Sequence, residues 1–61
     1  MLVKIFDEEH EKDLELVVND FLLKNKHLEI IDIKYQVAIS INGEEQLYCF
    51  SAMIIYIDDS E

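Results

Sequence analysis

Along residues 29–41 the chain alternates with a period of two. Ile31, Ile33, Tyr35, Val37, Ile39 and Ile41 are apolar, and Asp32, Lys34, Gln36, Ala38 and Ser40 stand between them. Successive side chains of an extended strand point to opposite faces, so this pattern predicts a strand with one apolar face over about residues 29–41. Asn42 and Gly43 come next. Both accept a positive φ, and the pair is the strongest short hairpin signal. A second apolar run, Leu47 to Ile57, predicts the returning strand over about residues 46–57. A turn made of Asn42 and Gly43 alone sets Val37 opposite Tyr48 and Ile33 opposite Ala52. A four-residue turn ending at Glu45 sets Ile39 opposite Tyr48, Val37 opposite Phe50 and Ile33 opposite Ile54. Either register keeps the same two faces, because the shift between them is two residues.

The first half of the chain has a different period. Leu2 to Phe6 is a short β-prone run, predicting a strand over about residues 2–6, and Asp7 after it is a residue type that caps helices. Leu14, Val17, Val18, Phe21 and Leu22 recur at spacings of three and four, with His10 one turn before them and Leu16 and Leu23 widening the stripe. Acids crowd one end of this segment (Glu8, Glu9, Glu11 and Asp13) and Lys24 and Lys26 the other, which matches a helix macrodipole. Asn25 is a candidate for a left-handed C-terminal residue, so the helix is placed at about residues 8–25.

The order strand, helix, strand, strand, with a right-handed crossover, makes the first two strands parallel. Putting the most apolar strand between them makes each neighbouring pair antiparallel. The expected architecture is therefore α+β, a single β-α-β-β domain spanning residues 1–61, with one helix packed on a three-stranded antiparallel sheet of order 1-3-2. One helix covers one side of a sheet. The other side collects Lys34, Gln36, Cys49, Ser51, Met53 and Ile55, a semi-apolar face that is expected to be a contact surface. Glu44 and Glu45 before the last strand, and Asp58, Asp59 and Glu61 after it, read as charged guards against aggregation.

Composition narrows what such a domain does. A chain of 61 residues buries only about 60% of the surface its unfolded form exposes, and the gain nearly cancels the entropy of ordering it, so a partner subunit is expected to supply the remainder. Cys49 is the only cysteine, which excludes an internal disulfide and fits a reducing cytosol. The N-terminal Leu2–Phe6 run meets acids at once, so no signal peptide is read there, and Leu47–Ile57 is too short to span a bilayer as a helix. A formal charge of −9 argues against nucleic acid and against anionic membranes as partners.

No constellation completes a catalytic or cofactor site. Glu9, His10 and Asp13 share a helical turn, but no second histidine pair or cysteine set completes a metal centre, and an acidic helix start explains them. Cys49 and His10 are expected on opposite sides of the sheet, which leaves Cys49 a small semi-buried hydrophobe rather than a nucleophile. Tyr35, Tyr48, Phe50 and Tyr56 have the faces to stack a planar flavin-like ligand, but their positions assign them to the core. No catalytic residue, cofactor or metal is therefore expected.

Three strings carry a likeness beyond this pattern: Phe6 to Glu15 (FDEEHEKDLE), Ile31 to Ala38 (IDIKYQVA) and Tyr48 to Tyr56 (YCFSAMIIY). Together they resemble the small sporulation-protein family Cse of endospore-forming bacteria and related Firmicutes, nearly from end to end. The resemblance implies a non-enzymatic protein made in the mother-cell compartment under the sporulation sigma factor E, with no residues of known role to carry across. The expectation is a cytoplasmic accessory protein that acts by protein contact, most simply as a homo-oligomer. A small-ligand carrier with its pocket between subunits is the alternative.

Overall fold

The computed structural model describes residues 1–59; Glu61, one of the expected charged guards, lies outside them. Strand β1 (Leu2–Glu8) is followed by helix α1 (Glu11–Lys24), then by strands β2 (Glu29–Asn42) and β3 (Glu45–Ile57). The sheet has the order β1-β3-β2, with both neighbouring pairs antiparallel. This is the expected α+β arrangement, and the most apolar strand is central.

Both ends of the first strand–helix connection differ from the sequence expectation. Asp7 does not cap the helix. It continues β1 opposite Ser51, and the Ser51 hydroxyl donates to its carboxylate at 2.6 Å, so a cross-strand bond holds the residue in the sheet. Two residues, Glu9 and His10, separate β1 from the helix, with His10 as N-cap in an extended conformation and no side-chain cap bond. The amide of Leu14 closes the first turn on the His10 carbonyl at 3.1 Å. At the other end Asn25 takes φ −126° rather than the left-handed region. Its side-chain amide donates to the Phe21 carbonyl at 2.8 Å, satisfying one of the open carbonyls of the last turn.

The hairpin adopts the second of the two registers. Asn42 pairs with Glu45, Ile39 with Tyr48, Val37 with Phe50 and Ile33 with Ile54. The central turn residues are thus Gly43 and Glu44, not Asn42 and Gly43. Gly43 has φ +67° and Glu44 does not have a positive φ, which is the requirement of a II′ turn rather than I′. Near the start of β2 a bulge lies between Ile30 and Asp32, so Ile30 stands opposite Tyr56 on the helix side and Ile31 is the extra residue. The expectation that Ile31 belongs to the core face is corrected by that one inserted position.

The core is small. Leu14, Ala52 and Ile54 are the buried hydrophobic residues among those described, and Ile54 is wholly inaccessible. The helix is anchored by rings: Phe6 meets Phe21 edge-on at 5.9 Å, Phe21 meets Tyr56 at 5.8 Å, and the Lys4 ammonium lies 5.4 Å from the Phe6 ring centre. Val17, Val18 and Leu22 are half-buried, whereas Leu16 and Leu23 face solvent and do not widen the packed stripe.

The helix packs on β1 and β3 alone. No Cα of α1 comes within 8 Å of β2, so the expected single core face is covered over only two of its three strands. Beyond Phe50, where β1 ends, β2 and β3 continue as a two-stranded arm. A 14-residue strand extends about 46 Å at about 3.3 Å per residue, which accounts for the 49 × 19 × 14 Å shape. No helix among the described residues is long and apolar enough to cross a membrane.

Candidate functional site

Two faces of the hairpin present apolar side chains, and register decides which residues share each. On the side away from α1, Lys34 stands opposite Met53, Gln36 opposite Ser51 and Ala38 opposite Cys49, while Ile55 stands opposite Asp32. All six residues expected from the sequence as a contact surface therefore lie on one face. Strand β1 adds Val3, Ile5 and Asp7 to it, opposite Ile55, Met53 and Ser51. The alternation of Val3, Ile5 and Asp7 with Lys4 and Phe6 carried that signal, but pairing of β1 with β3 was needed to assign the side. Met53 and Ile55 are half-buried between their neighbours, and Val3 and Ile5 are exposed.

Polar groups on this open face form a short chain. The Ser51 hydroxyl is bonded to Asp7, and the Cys49 sulfur lies 3.8 Å from the Ser51 oxygen. Beside them the Lys34 ammonium is 3.4 Å from the Asp32 carboxylate. Both partners of that ion pair are largely solvated, where such pairs contribute about 0–1 kcal/mol. Cys49 is exposed, which corrects its expected semi-buried state. His10 also lies nearer to it than expected, for both residues border the clefts between the start of α1 and β3. No hydrogen bond joins them. Among the described residues no three His, Cys, Asp or Glu side chains gather as a metal site.

The helix side of the hairpin is more apolar and less covered. Ile33, Tyr35, Val37, Ile39 and Ile41 follow one another along β2 with no charged side chain among them, and all are exposed. Exposure rises towards the turn, reaching 61% at Ile39 and 71% at Ile41. Glu11, Leu14, Glu15 and Val18 of α1 face Ile33 and Tyr35 across a groove where the helix leaves β2 bare. Further out, Tyr48 stacks on Phe50 with ring centres 6.2 Å apart, and its hydroxyl donates to the Gln46 side chain at 3.0 Å. The four rings once grouped together are thus dispersed. Tyr56 sits under the helix with Phe21; Phe50 and Tyr48 stand about 20 and about 26 Å away along β3, and Tyr35, 56% exposed, is on the neighbouring strand.

Sequence comparison supplies the context that this geometry lacks. The family model described as Sporulation protein Cse60 matches residues 1–58. The chain belongs to the Cse60 sporulation-protein family. A family relative, the Sporulation protein cse60 of Bacillus subtilis (strain 168), is 53% identical over 55 residues, covering 88% of this chain and 92% of that protein. Such identity over nearly the whole length carries the β-α-β-β architecture to that Cse60 protein as well. No solved structure matches the chain.

Proposed function

We propose that this Cse60-family chain is a non-enzymatic accessory protein of sporulation that acts by protein contact, as a homo-oligomer in the cytoplasm of the mother cell. One observation carries the contact reading. A compact monomer of 7.2 kDa has an accessible surface of about 4,100 Å², and this chain exposes 4907 Å². The excess, roughly 800 Å², is one partner's share of a standard protein–protein interface. The radius of gyration points the same way: 13.9 Å, against about 10–11 Å for a compact chain of this length. A chain with three buried apolar residues among those described, and with a bare apolar strand, has the proportions of a subunit.

The sporulation context comes from the family and from the name of the relative. Native mass spectrometry of freshly purified protein tests the mode of action. A dimer or higher assembly with no added mass supports it; an assembly that retains a small molecule replaces it with the carrier reading, and a bare monomer overturns both. A fluorescent fusion in a sporulating host tests the compartment, with signal confined to the mother cell as the expected result and forespore signal as the contrary one.

A further inference from the structure

We infer that the helix-side face of the hairpin arm is the seat of a second copy of this chain, the arm of each copy lying in the other's groove between α1 and β2. The inference rests on the contact reading and assigns it a surface, a partner and a geometry.

The surface itself argues for burial. From Ile33 to Ile41 five consecutive helix-side positions of β2 are apolar and exposed, and Tyr48 of β3 continues the patch. The exposed parts of these six side chains amount to on the order of 600 Å², most of the ~800 Å² per partner of a stable interface. That matches the excess surface of the isolated chain. The open face is the lesser candidate for self-contact, since Lys34, Asp32 and Asp7 bring charge to it and Met53 and Ile55 are already half-buried.

Pairing of two β2 edges is the obvious other way to join copies, and the strand opposes it. The bulge at Ile31 breaks the edge at its start. Next to it the Ile33 amide is donated to the Asp32 carboxylate at 2.8 Å, so a donor that a neighbouring strand would need is already taken. Contact through the face leaves both devices undisturbed.

The face is also complementary to itself. The arm beyond Phe50 is a two-stranded ridge, and between α1 and β2 lies a groove floored by Ile33, Tyr35 and Ala52 that can receive its tip. Facing sheets pack about 10 Å apart and helices 8–10 Å from their neighbours, so an arm from a second copy fits the layer that α1 occupies. A two-fold axis near Val37 and Ile39 places each arm tip in the other's groove, and because the same patch is used on both copies the contact closes as a pair. The rim is acidic on both sides, with Glu11 and Glu15 beside the groove and Glu44 and Glu45 at the arm's tip. Self-association should therefore tighten as salt rises, whereas a basic partner on the same face would be released.

Sedimentation velocity of the full chain over a micromolar concentration series, at low and at physiological salt, is the test. The wild type should reach dimer, more completely at higher salt. Ile39→Glu should weaken dimerisation at least about tenfold, the order expected for an apolar contact replaced by a charge, while Met53→Glu on the open face leaves it within about twofold. Ile41→Glu, further out on the arm and away from the core, repeats the measurement should Ile39→Glu lose its helical circular dichroism. A dimer broken by Met53→Glu and indifferent to both arm variants overturns this inference and keeps the protein-contact reading. A wild type that stays monomeric throughout overturns self-association altogether.

Discussion

Ile54 and Ile41 are the same amino acid with opposite surroundings, and the difference sets the energetic scale of the fold. Ile54 is inaccessible on the central strand, between Lys4 of β1 and Ile33 of β2, whereas Ile41 is mostly solvated near the turn. Truncating a buried isoleucine costs about 2–5 kcal/mol, against a total of about 3–9 kcal/mol for a domain this short. Ile54→Ala should therefore remove roughly half of the stability, read as a large fall in the urea midpoint. Ile41→Ala should shift the urea midpoint of the isolated chain by no more than about 0.5 kcal/mol equivalent. A mild effect at Ile54 would mean that the core lies elsewhere. Gly43 is constrained by backbone alone: φ is +67°, and a Cβ built there meets nothing within 4 Å. Gly43→Ala should cost about 1 kcal/mol by urea denaturation, and Gly43→Asn less, since asparagine tolerates the left-handed region. That a turn lay here was legible from Asn42-Gly43. Its centre was not, because either pair of residues satisfied the alternation, and the choice of Gly43 and Glu44 follows from Asn42 pairing with Glu45.

At the scale of the elements, the helix start shows how sheet pairing overrode a local signal. Asp7 has the chemistry of a cap, but its bond from Ser51 and its pairing in β1 move the cap to His10, which contributes no side-chain bond. A hydroxyl at an extended N-cap accepts from a first-turn amide and contributes about 1 kcal/mol. His10→Ser should thus raise the melting temperature by about 4–8 °C; calorimetry showing no gain would mean that the first-turn amides are already satisfied. The strands were legible because a period of two extends over most of β2, and the order 1-3-2 followed from crossover handedness and the apolar excess of β3. The bulge at Ile31 left no mark, as Ile30 and Ile31 are both isoleucine and either fits the core position. Nor does the helix stripe say which strands it covers. Leu14 and Phe21 were legible as inward-facing, but their seating over β1 and β3 depends on the Phe6 and Tyr56 rings. The bare apolar stripe of β2 follows from that seating. The open-face set was legible as a group, because Lys34, Gln36, Cys49, Ser51, Met53 and Ile55 share a side in either register.

For the whole molecule the decisive quantity is charge. Fourteen acidic residues stand against five basic ones, so folding brings like charges together on a surface only 19 × 14 Å across its short axes. Attractive pairs act in the other direction, among them Lys24 with Asp20 at 3.0 Å and Lys34 with Asp32 at 3.4 Å. Both are well solvated, and each contributes about 0–1 kcal/mol. Salt weakens both kinds of interaction, so the sign of its effect reports which is larger. Raising ionic strength from about 0.01 M to about 0.15 M shortens the Debye length from roughly 30 Å to about 8 Å. At the lower value nearly every acid on a molecule 49 Å long repels most of the others; at the higher value only near neighbours remain coupled. A net charge of −9 outweighs exposed pairs of this kind, so sodium chloride at these modest concentrations should raise the melting temperature. Measuring the shift at several protein concentrations separates its sources. Screening within one chain gives the same shift at each concentration, while a salt-promoted dimer adds a component that grows with protein. A melting temperature that falls with salt would show that attractive pairs dominate, and that the acidic surface is better compensated than its charge count implies.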